Sequence, residues 1–366
     1  MTYNILEYQQ IMSQSVLPVF GLAEKKVKLE AFGSGLINST WKVTTTSDEY
    51  ILQRLNHLVF NEPEDIAHNI NLIANYLKQH YPAYSFAAPI KAEDGATLVY
   101  LEHEGFFRLF PFVKGSYAKE VVETATEAYE AAVQFGRFTH LLSGLDIEQL
   151  KITIPSFHDL SLRYRQFMLA LENGNAERII ESDGLIKKLM DNKSIAEQYQ
   201  QIRNNPECKL RVTHHDTKIS NVLFNKDGNG LCVIDLDTVM PGYFISDVGD
   251  MMRTYLSPVS EEESDFSKIE IRSSIFEAIV KGYYSEMRTD LTHTEKQLFL
   301  YAGKFMIYMQ AIRFLTDYLN DDVYYGARYE KHNFVRASNQ LVLLEKLIAK
   351  ENELVPLINR ILSTNE

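Results

Sequence analysis

The chain has 366 residues, 45% of them hydrophobic and 23% charged, which is enough length and apolar content for two lobes with their own cores. A formal net charge of −12 opposes an extended nucleic-acid partner, whose phosphates would be repelled over most of the surface. Two cysteines outside any Cys-x-x-Cys or Cys/His spacing exclude a disulfide framework and a zinc site.

The start, "MTYNILEYQQIMSQSVLPVF", has neither the basic opening nor the apolar core of a secretion signal. No apolar run reaches the ~18 residues that span a bilayer. The expectation is a soluble, cytoplasmic protein with no membrane and no nucleic-acid partner.

In chain order, "KVKLEAFG" and "TWKVTTT" alternate as half-buried strands do, and "EYILQRLN" follows as a third. From Pro63, "PEDIAHNINLIANYLKQH" sets Ile66, Ile70, Ile73 and Leu77 on one helical face, and "ATLVYLEHEGFFRLFPFV" reads as a strand pair. The predicted order is β-β-β-α-β-β. After Lys114–Ser116 a long helix is expected through "VVETATEAYEAAVQFGRFTHLLSGL", and the patterns over 158–173, 185–204, 266–287, 294–320 and 332–363 are helical. The composition shift predicts an α+β chain of two lobes, a β-rich one over 1–113 and a mainly helical one over 114–366.

Residues 212–242, "VTHHDTKISNVLFNKDGNGLCVIDLDTVMPG", set four acids, two histidines and two lysines beside two strand-like runs. "NVLFN" and "LCVIDL" flank "KDGNG", whose Asp-Gly and Asn-Gly pairs are strong hairpin signals. With the turn centred near Gly228, Asn221 and Asp235 lie seven residues to either side and are expected to meet at the open end. Asp216 stands five residues before Asn221, and His214 two before that. This H-x-D-x-x-x-x-N spacing with a second carboxylate is the one used by phosphotransferases of the kinase fold.

The chemistry explains the residue types. An aspartate orients an attacking hydroxyl and accepts its proton, while an amide oxygen and a carboxylate are hard ligands for the magnesium that bridges ATP phosphates. Lys218 is within reach of the transferring phosphoryl group. Taken singly, each of these residues is as well explained by turn and cap formation; the shared register favours catalysis. In "FISDVGDMMR", Asp247 is expected to anchor the loop by accepting backbone N–H bonds, and Asp250 to act as an N-cap or first-turn acid.

"HHDTKISN", "VIDLD" and "SDVGD", with "FGRFTHLLSGL", resemble the aminoglycoside phosphotransferase and choline kinase superfamily. The nearest likeness is to its N-acetylhexosamine 1-kinase branch, through "HHDTKISN" and "IDLDTVMPG", and it runs from "GSGLINSTW" to "AIRFLTDYLNDDVYY". The resemblance implies a protein-kinase-like two-lobe fold and ATP with Mg2+ as cofactors. It makes 1–113 the nucleotide-binding lobe and 114–366 the catalytic and substrate-binding lobe. It makes Asp216 the catalytic base, Asn221 and Asp235 magnesium ligands, and Asp237 a partner behind them.

In "FGSGLINSTW" it likens Gly33, Ser34 and Gly35 to a phosphate-approaching loop, although a hairpin turn needs glycine in any case. The third strand lacks the usual lysine, and the resemblance assigns Arg54 in its stead. It sets Arg313 and Tyr324 toward the hexose, although Arg313 and Asp317, four apart on a helix, could instead pair with each other. The implied reaction is phosphorylation of the anomeric hydroxyl of a small-molecule sugar, GlcNAc or GalNAc. The rivals are another small alcohol, such as choline, an amino alcohol or an aminoglycoside, and a non-catalytic nucleotide-binding module, against which the complete Asp216, Asn221 and Asp235 set argues.

Overall fold

The computed structural model describes residues 11–22, 27–33, 38–57 and 59–364. By its contacts the chain divides into two compact units. One runs up to Tyr117 and takes in Gly144–Ile154 and Ile234–Met240; the other comprises Ala118–Ser143, Pro155–Val233 and Pro241–Glu366.

The first unit holds β1 (Lys28–Ala31), β2 (Ser39–Thr44), β3 (Glu49–Arg54), α1 (Pro63–His80), β4 (Val99–Leu101) and β5 (Gly105–Pro111). This is the expected element order. The five strands form one antiparallel sheet in the order β1-β2-β3-β5-β4. Alternation along β2, β3 and β5 sends Val43, Leu52, Phe107 and Leu109 into a core shared with Met12, Val16 and Leu17. On α1 the four residues read from the 3.6 period, Ile66, Ile70, Ile73 and Leu77, are all buried. Asn69 on that helix is fully buried and bonds the carbonyls of Lys151 and Val239 at 2.9 and 3.0 Å. It thereby fixes the two outlying segments to this unit.

The second unit is mainly helical. Its helices are α2 (Ala125–Leu141), α3 (Leu160–Asn173), α4 (Ala176–Glu181), α5 (Asp183–Asp191), α6 (Ser194–Asn204), α7 (Phe244–Tyr255), α8 (Ser273–Met287), α9 (His293–Lys296), α10 (Phe299–Leu319), α11 (His332–Ala349) and α12 (Glu351–Ser363). α2 packs on α8, and α10 on α7 and α11. The long helix begins later than expected, because Thr124 and Glu127 close a capping box ahead of Ala125. The pattern over 332–363 is two helices meeting at Lys350. Short strands β6 (Arg211–Thr213), β7 (Val222–Phe224) and β8 (Gly230–Val233) precede β9 (Met240–Gly242). Cys208 and Cys232 are buried and form no disulfide. No helix among the described residues is long and apolar enough to cross a membrane.

Candidate active site

The segment after β6 is shaped by α7. Asp247, buried on that helix, accepts the backbone N–H of His214 at 3.0 Å and that of His215 at 2.8 Å, as the sequence leads one to expect. Those bonds hold His215 at a φ of 67°, a left-handed conformation that a non-glycine residue adopts only when its surroundings enforce it. Thr217 is fixed three times: its N–H donates to Asp250 Oδ2 at 2.9 Å, its hydroxyl to the Asp247 carbonyl at 2.7 Å, and its carbonyl accepts from Tyr255 at 2.6 Å.

Asp250 is therefore neither cap nor first-turn acid. It sits inside α7, bonded to the loop and paired with Arg253 at 3.0 Å. Burial pushes the Asp247 carboxyl up to about 7; its two backbone bonds oppose the rise, and the neighbouring Asp250 and Asp216 add to it. Burial raises Asp250 as well, against the pull of Arg253.

His214 is buried, with its ring edge-on to Phe135 and Phe138 of α2 at 5.1 and 6.2 Å between centroids, and its Nδ1 is 3.4 Å from the Asp216 N–H. It supports the loop, and "FGRFTH" supplies its packing. Gly242 is demanded by the other histidine, because a Cβ there would overlap the His215 ring.

Asp216 projects from this braced loop. Its Oδ2 accepts from Asn221 Nδ2 at 3.0 Å and lies 3.1 Å from Lys218 Nζ. Asn221 Nδ2 also donates to the Asp216 carbonyl at 2.9 Å. With its amide nitrogen committed twice, Asn221 turns its Oδ1 away from Asp216 as an acceptor. The hairpin pairs Val222 with Val233, and a bulge follows Leu223. A turn centred on Gly228 would instead pair Leu223 with Val233, so the predicted symmetry is off by one residue. Asp235, two residues past Val233, has left the strand with a φ of 63°.

A line of ring contacts leads from the loop carrying Asp216 to the residues expected at the acceptor. His215 Nδ1 is 3.2 Å from His158 Nδ1, and the His158 ring stacks on Phe157 at 4.4 Å. The Arg313 guanidinium lies 5.8 Å from the Phe157 ring, 5.9 Å from Tyr324 and 5.5 Å from Tyr325. Arg313 and Tyr324 thus stand together, and the alternative pairing of Arg313 with Asp317 does not form. Asp317 accepts the N–H groups of Tyr324 and Tyr325 at 2.7 and 2.9 Å and the Asn333 amide at 3.1 Å. His158 is held well below the ordinary histidine value, first by burial and then by His215, Arg313, Arg253 and Arg163.

In the first unit, Gly33 has a φ of 78° with open space beside it, whereas Ser34 and Gly35 lie outside the described residues. On β3, Gln53 accepts two bonds from Arg108 at 3.0 and 2.8 Å. Arg108 pairs at 2.5 Å with Asp237, whose other oxygen accepts from Asn38 at 2.7 Å. Arg54, the next residue along β3, belongs to the opposite face and lies beside Gly105. No motif marked Arg108, although an arginine within the apolar run "FFRLF" is itself a sign of a buried partner.

The family of phosphotransferase enzymes is matched over residues 28–266, under the description "Phosphotransferase enzyme family". Among solved structures, an aminoglycoside phosphotransferase from Alicyclobacillus acidocaldarius aligns over 96% of both chains with a TM-score of 0.63 and 12% identity. An amicoumacin kinase in complex with AMP-PNP and Ca2+ aligns over 94% of this chain and 96% of its own, with a TM-score of 0.60 and 13% identity. A choline kinase from Cryptosporidium parvum aligns over 98% and 99%, at 0.55 and 12%. These identities speak to the fold, which is kinase-like α+β with a small antiparallel sheet and a mainly helical remainder. The chain belongs to the phosphotransferase enzyme family.

Proposed function

We propose that the enzyme transfers the γ-phosphoryl of ATP to the anomeric hydroxyl of an N-acetylhexosamine, GlcNAc or GalNAc, and releases the sugar 1-phosphate. The observation that carries this reading is the unbroken line from Asp216 through His215, His158 and Phe157 to Arg313 and Tyr324. It joins the base to the side chains that the sequence resemblance assigns to the hexose.

Asp216 has one oxygen engaged by Asn221 and Lys218, and its Oδ1 receives the proton of the sugar O1 as that oxygen attacks. Lys218 adds positive charge on the side of the transferring group. Asn221 Oδ1 and the Asp235 carboxylate are the residues for magnesium, and they suit it as hard oxygen donors. When bound, magnesium neutralises phosphate charge. The phosphate-contacting loop of this reading is that of Gly33, with Ser34 and Gly35 outside the described residues, and Arg54 is its cation on β3.

The test is product identity. A coupled ADP-release assay with GlcNAc and GalNAc, followed by phosphorus NMR, should give an anomeric phosphate coupled to H1, and the 1-O-methyl glycosides should be inert. Phosphate at O6, or turnover of a methyl glycoside, rejects the 1-kinase reading.

A further inference from the structure

Among the buried or half-buried arginines of the helical unit, Arg163 and Arg313 have no carboxylate partner among the described residues, and neither has Arg272, which bonds the carbonyls of Tyr255, Leu256 and Ser257 away from this site. Arg253 pairs with Asp250 and Glu261, Arg336 with Glu261, Arg178 with Asp322 and Arg211 with Glu295. By contrast, Arg163 donates to the carbonyls of Ser156 and Phe157 at 3.0 and 3.3 Å and to the Gln166 amide oxygen at 3.0 Å. Arg313 donates to the Gln310 amide oxygen at 3.0 Å and otherwise faces aromatic rings. Among the described residues no carboxylate cancels either charge, and the buried Arg163 Nε has no hydrogen-bond partner.

The two charges act on each other. Arg163 is shifted below its ordinary value, first by burial and then by Arg313. The acids nearby are committed elsewhere: Asp159 caps α3 and pairs with Arg203, Asp317 holds the Tyr324 turn, and Asp216 faces Lys218. The neutral His158 adds no charge of either sign.

We propose that this end of the acceptor site is a cation-excluding subsite, in which Arg163 and Arg313 make the enzyme take alcohols without a positive charge and reject those bearing an ammonium group. This rests on the acceptor lying beside Arg313, as set out above. Tyr324 and Phe157 could cage a cation in a site without the arginines; here Arg313 already lies against both rings.

The experiment uses the wild-type enzyme and a matched pair, GlcNAc against glucosamine, at a pH where glucosamine is an ammonium ion, with choline, ethanolamine and an aminoglycoside in the same panel. One like charge at about 6 Å, at an effective dielectric between ~20 and ~80, corresponds to roughly three- to hundredfold in kcat/KM. The expected result is GlcNAc ahead of glucosamine by a factor in that range, with the gap narrowed in Arg313→Glu and, to a smaller extent, in Arg313→Gln. The second variant covers the case in which charge reversal disturbs folding.

Preferred turnover of choline, ethanolamine, the aminoglycoside or glucosamine overturns the proposal, as does a gap that Arg313→Glu leaves unchanged. A different outcome separates the two readings. If an uncharged alcohol other than an N-acetylhexosamine is the preferred acceptor, the sugar assignment fails and the cation-excluding subsite stands.

Discussion

Asp247 is the residue whose removal tests how the loop carrying Asp216 is held. In Asp247→Ala the N–H groups of His214 and His215, now bonded at 3.0 and 2.8 Å, lose their acceptor in a site with His214 fully buried and His215 at 5% exposure. Each buried donor left unsatisfied costs ~1–3 kcal/mol, so the variant should lose about 2–6 kcal/mol, a large part of a typical folding stability of ~5–15 kcal/mol. Urea unfolding should show a lower midpoint at unchanged slope, and kcat should fall more than ATP affinity because Asp216 rides on the loosened loop.

The charge gives an independent readout in Asp247→Asn. The folded carboxyl titrates at about 7 against an ordinary 3.8, so between those values the folded protein keeps a proton that the unfolded chain releases. Its contribution to stability is present in full below 3.8 and is lost as pH rises through about 7. His158, depressed in the fold, acts in the opposite sense: its contribution is present above its unfolded value and lost as pH falls. Comparing Asp247→Asn with wild type across pH 4–8 isolates the aspartate, and the variant should gain on wild type as pH rises. A wild-type unfolding midpoint in Asp247→Ala, or a parallel pH dependence in Asp247→Asn, refutes this account of the loop.

Asp216→Asn should lower kcat by ~100- to 10,000-fold with ATP binding retained in a calorimetric titration; near wild-type turnover would remove the base assignment. Asn221→Ala should weaken nucleotide binding in the presence of magnesium far more than in its absence. Arg108→Ala strands the Asp237 carboxylate, 2% exposed, and should cost ~3–5 kcal/mol in urea unfolding, whereas an unchanged midpoint would mean that the pair is not formed. Asp317→Ala releases the N–H groups of Tyr324 and Tyr325 and should raise the acceptor KM with little change in the ATP KM; equal effects on both would make its role merely structural.

What the sequence discloses follows from how local each interaction is. The period-2 strands and the 3.6 period of α1 depend on which face a residue occupies, so Val43, Leu52, Ile66 and Ile70 are legible without any partner. The boundaries that slipped were legible in part: Thr124 and Glu127 spell a capping box that sets the start of α2, whereas the bulge after Leu223 has no such marker. Asp216, Asn221 and Asp247 show through because the loop is built from residues near one another in the chain or on the next helix. Arg108 and His158 do not, since their partners stand 129 residues away in the case of Asp237 and 57 in that of His215. Charge balance at such a point is a property of the folded chain.

Three aspartates within 35 residues do three different jobs, and what each accepts accounts for the difference. Asp247 spends both oxygens on backbone N–H groups, which makes it a brace and costs it solvation. Asp250 divides its oxygens between Thr217 and Arg253, a neutralised link between loop and helix. Asp216 commits one oxygen to Asn221 and Lys218 and stays part-exposed. The general base we propose needs one oxygen oriented and one oxygen available, and of the three only Asp216 has that division. The braces come at the expense of buried charge, and that expense is reasonable because an attacking hydroxyl must be held within a few tenths of an ångström of its line of approach.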